Sequence, residues 1–360
     1  MCIRDRFLAA GAGVRALGTV DAGTRTVNIA PTIASVLGLE AHPESVGPTG
    51  ARRGDGLLRR QDGEVEAGIL DSEHARHALV FLLDGCNANL FADMLSSGEA
   101  PNLTGIAMRG TTFGHGAVAS LPTATLANHT TAITGAHPGH SGILHNAWID
   151  PLTADGVNLL EFDQMFHAMA HLSPTSETLF AAVHRCREGS FTSASFEFCD
   201  TSADFSTFAL ARSGEANELP PIEEVSHLDA DAASNAAYGF MSRVDHLSML
   251  HTIECWDQAH ANPLPTLSWC SLALTDEAGH EGGPHSQLAR AAVRDGDARI
   301  GEVLAAVERA GAMDSTAVFV LADHGMEQSN PELNEPWDDA LAATGVPYRE
   351  VGDGLIYTLG

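Results

Sequence analysis

Three apolar runs, each meeting an acid at its end, constrain this chain more than any other feature. Residues 78–83 run without a polar break into Asp84–Gly85, residues 266–274 lead into Asp276, and residues 317–322 end in Asp323–His324–Gly325. Uninterrupted apolar runs of this length are the pattern of strands buried on both faces of a parallel sheet. Helical patterns at 26–39, 89–109 (broken by Pro101), 176–184, 232–261 and 287–310 alternate with them and with strand patterns at 7–14, 112–119 and 191–198. The implied fold class is α/β, a mostly parallel central sheet sandwiched by helices. In such sheets ligands bind beyond the carboxyl ends of the strands, so Asp84, Asp276, Asp323 and His324 are expected to converge although far apart in sequence.

The second informative stretch is 121–146, LPTATLANHTTAITGAHPGHSGILHN. Thr123 and Thr125 sit on a Pro/Thr turn ahead of a short apolar helical run, which places a hydroxyl at or near a helix start. Unpaired N–H groups and the helix dipole stabilise an alkoxide or a phosphoryl oxygen there. Asn128 and Asn146 offer amide donors for an oxyanion. Capping by threonine explains a lone Pro-Thr-x-Thr equally well; the three acidic strand ends favour chemistry. Crowding acids without a cation would raise their pKa values by mutual repulsion. A mixture of carboxylates and imidazoles, including the Asp276-x-x-x-His280 spacing, suits Zn²⁺ better than Mn²⁺ or Fe.

Composition narrows the partners. Among 360 residues there is no lysine, 19 arginines face 47 acids, and the formal net charge is −28. That balance argues against binding nucleic-acid duplexes, and an anionic substrate would need bound metal as its local positive charge. No apolar run reaches membrane-spanning length, and no signal-peptide pattern is visible, so localisation stays open. The six cysteines form no CxxC; a Cys186–Cys199 pair is open, and free buried thiols are favoured. Met1–Arg6 resembles a translated sequencing-adapter scar of metagenomic fragments and is set aside. Residues 44–76 read as a linker or exposed loop, 200–231 as a surface excursion, and the helix at 287–310 as amphipathic with Arg290, Arg294 and Arg299 on its wet side.

LLDG at 82–85, PTATLANH at 122–129, HN at 145–146, DEAGH at 276–280 and ADHGM at 322–326 follow one another in an order that resembles the type I phosphodiesterase/nucleotide pyrophosphatase family of the alkaline phosphatase superfamily. The resemblance covers roughly residues 78–326. It implies an alkaline phosphatase-like fold and metal-dependent hydrolysis of phosphodiesters or nucleotide pyrophosphates through a phospho-threonine. Thr125, not Thr123, would be the nucleophile and Asn146 the oxyanion donor. Asp84, Asp323, His324 and Thr125 would hold one divalent ion, Asp276 and His280 a second, most suitably zinc. Substrate would be a small phosphoester or nucleotide. A phosphomonoesterase, a phosphonate hydrolase and an inactive phosphoester-binding domain are the alternatives. The family's second metal takes one more histidine, near a C-terminal strand and helix, and residues 7–43 resemble that strand and helix in a rotated position, from permutation or an upstream copy. Residues 77–360 would then be an incomplete catalytic domain. His129 is expected to pack and orient the Thr125 turn; His137, His140, His145 and His285 are expected at the surface, and Trp148 and Phe198 in the core or beside a leaving group.

Overall fold

The computed structural model describes residues 4–5, 7–150, 153–214, 218–257, 263–330, 332, 337–351 and 355–358. Its eight-stranded sheet contains β1 (Phe7–Gly11), β2 (Gly18–Val20), β3 (His77–Leu83), β4 (Gly110–Phe113), β5 (Thr192–Ser195), β6 (Phe205–Ser206), β7 (Leu267–Leu272) and β8 (Thr316–Leu321). The spatial order is β6-β5-β7-β3-β8-β1-β4-β2. All adjacent pairs are parallel except those made by β1, which runs antiparallel to β8 and β4. β3 lies at the centre, with Ala78 opposite Leu267 on one side and Ala317 on the other.

Side chains of β3 alternate between two cores, as the two-residue period of a strand demands. Ala78, Val80 and Leu82 join one, packed under α1 (Ile29–Val36), α4 (Thr125–Thr134) and α5 (Leu179–Cys186); Leu79, Phe81 and Leu83 join the other, under α2 (Ala88–Ser97), α3 (Pro101–Met108), α7 (Ala236–Asp257) and α9 (Gln287–Arg309). Each large apolar side chain fully buried this way contributes about 1.5–3 kcal/mol. In chain order α6 (Thr207–Ser213) follows α5 and α8 (Leu274–Gly282) follows β7. Asn87 starts α2 by accepting from Asn89 N and Leu90 N, and Pro101 opens α3, so the break expected at Pro101 separates two helices.

Several sequence expectations change. The strand expected over 266–274 stops at Leu272 because the Asp245 carboxylate accepts from Ala273 N and Leu274 N, starting α8 there. The strand expected over 112–119 is interrupted by the Gly114–Gly116 turn, and Ala117–Val118 pair in a separate small sheet. Arg299 is not on the wet side of α9. It is wholly buried, donating to Ser242 Oγ with Asp245 4.0 Å away, because α7 covers that face. The excursion at 200–231 contributes β6 and α6 to the body of the fold. Residues 44–76 hold only a 3-10 turn, Ala67–Ile69, yet bury Ser45, Leu58, Arg60, Gln61 and Asp62. The end of the helix expected over 232–261 lies outside the described residues after Asp257. Cys186 and Cys199 are not joined by a disulfide. No described helix is long and apolar enough to cross a membrane.

Candidate functional site

The acids meet at the carboxyl edge of the central strands. Asp84 follows β3 directly, Asp323 and His324 lie just past β8, and Asp276 comes from the first turn of α8 rather than from a strand end. Gly85 makes the approach possible. Its φ is +59°, its N–H donates to Asp323 Oδ1 at 3.1 Å, and a Cβ there would overlap Asp276 Oδ1. One ligand atom each from Asp84, Asp276 and His324 lie within 4.8 Å of one another, and the same holds for Asp84, His129 and Asp323.

Thr125 is the first residue of α4, and its Oγ1 stands 3.2 Å from His324 Nε2. His324 Nε2 is 3.3 Å from Asp323 Oδ2 and 3.6 Å from Asp84 Oδ1. The turn ahead of Thr125 is held by Asn128, whose Oδ1 accepts from Ser120 N and whose Nδ2 donates to Ser120 O, Pro122 O and Ala124 O. Asn128 is therefore spent on the turn and is no oxyanion donor. Asn146 Oδ1 accepts from Leu126 N at 3.0 Å, which fixes its amide so that the NH₂ edge is the one left to donate. Thr123 is buried two residues ahead of the helix.

His129 is one helical turn beyond Thr125 on α4 and faces the same acids. Its Nδ1 bonds Glu197 Oε2 at 2.9 Å, and its Nε2 points at Asp84 and Asp323, 3.7 and 3.8 Å away. The expectation that His129 packs in the helix holds for its burial, but the ring also borders the acid cluster. Glu197, wholly buried, also accepts from Ser271 Oγ and Cys199 N. Nothing in the local sequence singles Glu197 out. His129, four residues after Thr125, was findable from helical spacing.

Electrostatics at the cluster are those of acids short of positive charge. Burial, then the charges of Asp323 and Asp276, push the Asp84 carboxyl well above the usual carboxylate range. Burial alone would lower the His129 imidazole, but the charges of Glu197, Asp84 and Asp323 outweigh it and hold it well above its ordinary value. Asp84 Oδ1, Asp276 Oδ1, Asp323 Oδ2 and His129 Nε2 are buried with no hydrogen-bond partner among the described residues. Orphaning one buried polar atom costs about 1–3 kcal/mol, and more for a charged one. Three carboxylate oxygens and an imidazole nitrogen converging unpaired fit the donor set of a divalent cation.

His280 sits outside this centre. Its Nε2 is 3.4 Å from Asp276 Oδ2, a contact that raises its pKa, but the side chain is 68% exposed and joins no described donor group. The other expected histidines lie elsewhere. His137 bonds Ser120, His140 bonds Asp62, His285 bonds Glu327, and His145 is buried rather than at the surface. Trp148 packs with Leu126, Ile143 and Val157, while Phe198 meets the His129 ring edge-on at 5.3 Å.

Fold and site together define an α/β protein with a helix-start hydroxyl beside a carboxylate–imidazole cluster at the carboxyl ends of parallel strands. The chain belongs to the type I phosphodiesterase/nucleotide pyrophosphatase family, whose sequence profile matches residues 78–356. Two structures of murine ectonucleotide pyrophosphatase/phosphodiesterase 5, one an inactive variant in complex with AMP, share the fold with a TM-score of 0.53 and 18% identity. The match covers 76% of this chain and 63% of theirs, so the chain spans less than two thirds of that protein's length. A comparison with curated protein sequences gives no match.

Proposed function

We propose that this chain is a phosphoric ester hydrolase acting on phosphodiesters or nucleotide pyrophosphates, with Thr125 as nucleophile. The observation that carries this is the position of Thr125 Oγ1: on the first residue of a helix, 3.2 Å from His324, in the same site as buried carboxylate oxygens that no donor among the described residues satisfies. Asp84, Asp323, His324 and Thr125 would hold one divalent ion, zinc by donor chemistry, and Asp276 and His280 would serve a second, with His129 bordering the first. Bound there, such ions lower the pKa of the threonine hydroxyl and neutralise phosphoryl charge.

The chain's own residues then do the following. Thr125 Oγ forms the new bond to phosphorus as the ester oxygen on the opposite side leaves with the bonding pair and takes up a proton. Water later cleaves the Thr125–phosphorus ester, returning the hydroxyl and releasing a phosphomonoester. Asn146, clamped through Oδ1 to Leu126 N, presents its NH₂ to an equatorial oxygen, a kind of contact typically worth about 10²–10³ in kcat. A nucleotide is a candidate substrate by analogy with the structural neighbour bound to AMP.

The test is the hydrolysis of bis-p-nitrophenyl phosphate against p-nitrophenyl phosphate. The diester is expected to have the higher kcat/KM, and Thr125→Ala to lower kcat at least about 10³-fold, the scale for a covalent nucleophile. A preference for the monoester would move the assignment to a phosphomonoesterase, and full activity of Thr125→Ala would remove the nucleophile. One observation favours a second reading, a phosphoester-binding chain without turnover: His280 is exposed and joins no described donor group. In that case neither ester is cleaved although phosphate esters bind.

A further inference from the structure

We infer that Asp245 is a positioning residue for Asp276: from α7 it fixes where α8 begins, and so where the Asp276 carboxylate stands. This rests on the reading of Asp276 as a metal ligand given above. α8 has no cap of its own. The residue ahead of it is Ala273, whose methyl accepts no hydrogen bond. A helix start leaves backbone N–H groups unpaired, and here Asp245 takes them across the fold. Ala273 N donates to Oδ1 at 2.7 Å and Leu274 N to Oδ2 at 3.2 Å. Asp276 lies in that same first turn. The Asp245 carboxylate is buried, and Arg299, itself buried on α9, stands 4.0 Å from Oδ2 and offsets its charge.

The first turn of α8 fits against the strand ends without slack. Thr275 Oγ1 donates to the backbone carbonyl of Asp84. A Cβ at Gly85 would overlap Asp276 Oδ1, and one at Gly279 would overlap Met326 Sδ, two residues past His324. Asp84 and Asp276 are thus held in register through the helix start. No hydrogen bond among the described residues fixes Asp276 Oδ1, so its place is set by the helix that carries it. Loss of the Asp245 bonds frees the turn to fray or tilt, and the carboxylate moves with it. Asp297 provides the comparison. It is also buried, on α9, and accepts from Asn102 N and Leu103 N at 3.2 and 2.7 Å, at the start of α3. The bonding is of the same kind, but α3 bears none of the site residues.

The test is zinc affinity of the intact chain, by competition with a chromophoric chelator, alongside urea unfolding, for wild type, Asp245→Ala, Asp245→Asn and Asp297→Ala. Both alanine variants are expected to unfold at lower urea, since each removes a buried helix cap. Asp245→Ala is expected to weaken zinc binding about 10–100-fold, the scale for losing a group that orients a metal ligand. Asp297→Ala is expected to stay within about two-fold of wild type, as a change at an independent site does. Asp245→Asn keeps the shape and one acceptor, and is expected to recover part of the affinity, about three- to ten-fold below wild type. Equal zinc affinities in the two alanine variants overturn the inference, because a merely structural cap moves stability alone. Should Asp245→Ala fail to fold, Asp245→Asn decides, and an affinity equal to wild type overturns it. Chelator competition needs no turnover, so the two readings fail separately. A chain that cleaves no ester but shows this order of affinities loses the hydrolase reading and keeps the positioning role. A chain that cleaves the diester with equal affinities loses the positioning role alone. A wild-type chain that takes up no zinc overturns the inference together with the metal reading it rests on.

Discussion

At Gly85 the backbone turns with φ +59°, donates to Asp323, and leaves the space of a side chain to Asp276 Oδ1. Any Cβ must push Asp276 outward or twist the strand end that carries Asp84. Gly85→Ala is therefore expected to weaken zinc binding about 10–100-fold, the usual cost of disturbing the groups that orient metal ligands, while the fold survives. Zinc titration with a competing chelator checks this, and an unchanged affinity would show that Asp276 is not held by this contact. The place of Thr125 at the start of α4 was legible from the sequence because a turn before an apolar run fixes where a helix starts. Asn128 misled for a physical reason: its amide groups face the turn it closes, and a sequence does not show which way an asparagine points. Glu197 left no trace because the pairing that matters, with His129, joins residues from separate elements.

Among the elements, the central parallel strands were the most legible, since burial on both faces leaves an unbroken apolar run. The end of β7 was misplaced because Asp245, from α7, caps the backbone of the next helix, a tertiary bond with no local signature. Arg299 was misplaced similarly: amphipathic periodicity assumes one wet face, and α7 covers it. β1 offers a direct test of how a strand that carries none of the site residues supports the sheet. Phe7 is buried against Phe113 and Phe319, at ring-centre distances of 5.5 and 6.2 Å, on a strand between β8 and β4. Phe7→Ala is expected to cost about 3–5 kcal/mol in urea unfolding; a loss under 1 kcal/mol would mean that β1 is an appendage. On α7, burial lowers the His251 pKa to about 4, below the ~6.5 of an unfolded chain. The neutral ring's contribution is fully present above pH 6.5. It is lost as pH falls toward 4, where only the unfolded chain takes up the proton. His251→Asn should therefore flatten the fall in stability between pH 6.5 and 4 by about 2–3 kcal/mol, read as the difference between denaturation series. Parallel pH profiles would contradict this.

On the scale of the whole molecule, the sheet places Asp84, Asp323 and His324 at one edge, and the helices add Thr125, His129 and Asp276. That convergence followed from topology alone, before any distance was known, because parallel strands end together. The contributions of 44–76 and 200–231 did not follow, since their polar composition hides the few residues that pack inward. We propose that β1 and α1 occupy the place the family gives its C-terminal strand and helix, whether by permutation or from an upstream copy. An acidic chain with net charge −28 and a buried acid cluster has one economical route to binding anionic esters, a resident cation. The most direct measurement is the metal content of the folded chain after dialysis with zinc and removal of the free ion, by plasma mass spectrometry, for wild type and Asp84→Ala. The account predicts at least one zinc per wild-type chain, none in Asp84→Ala, and loss of diester hydrolysis on chelation with recovery on adding zinc back. A wild-type chain that holds no metal and still cleaves the diester in chelator would contradict it.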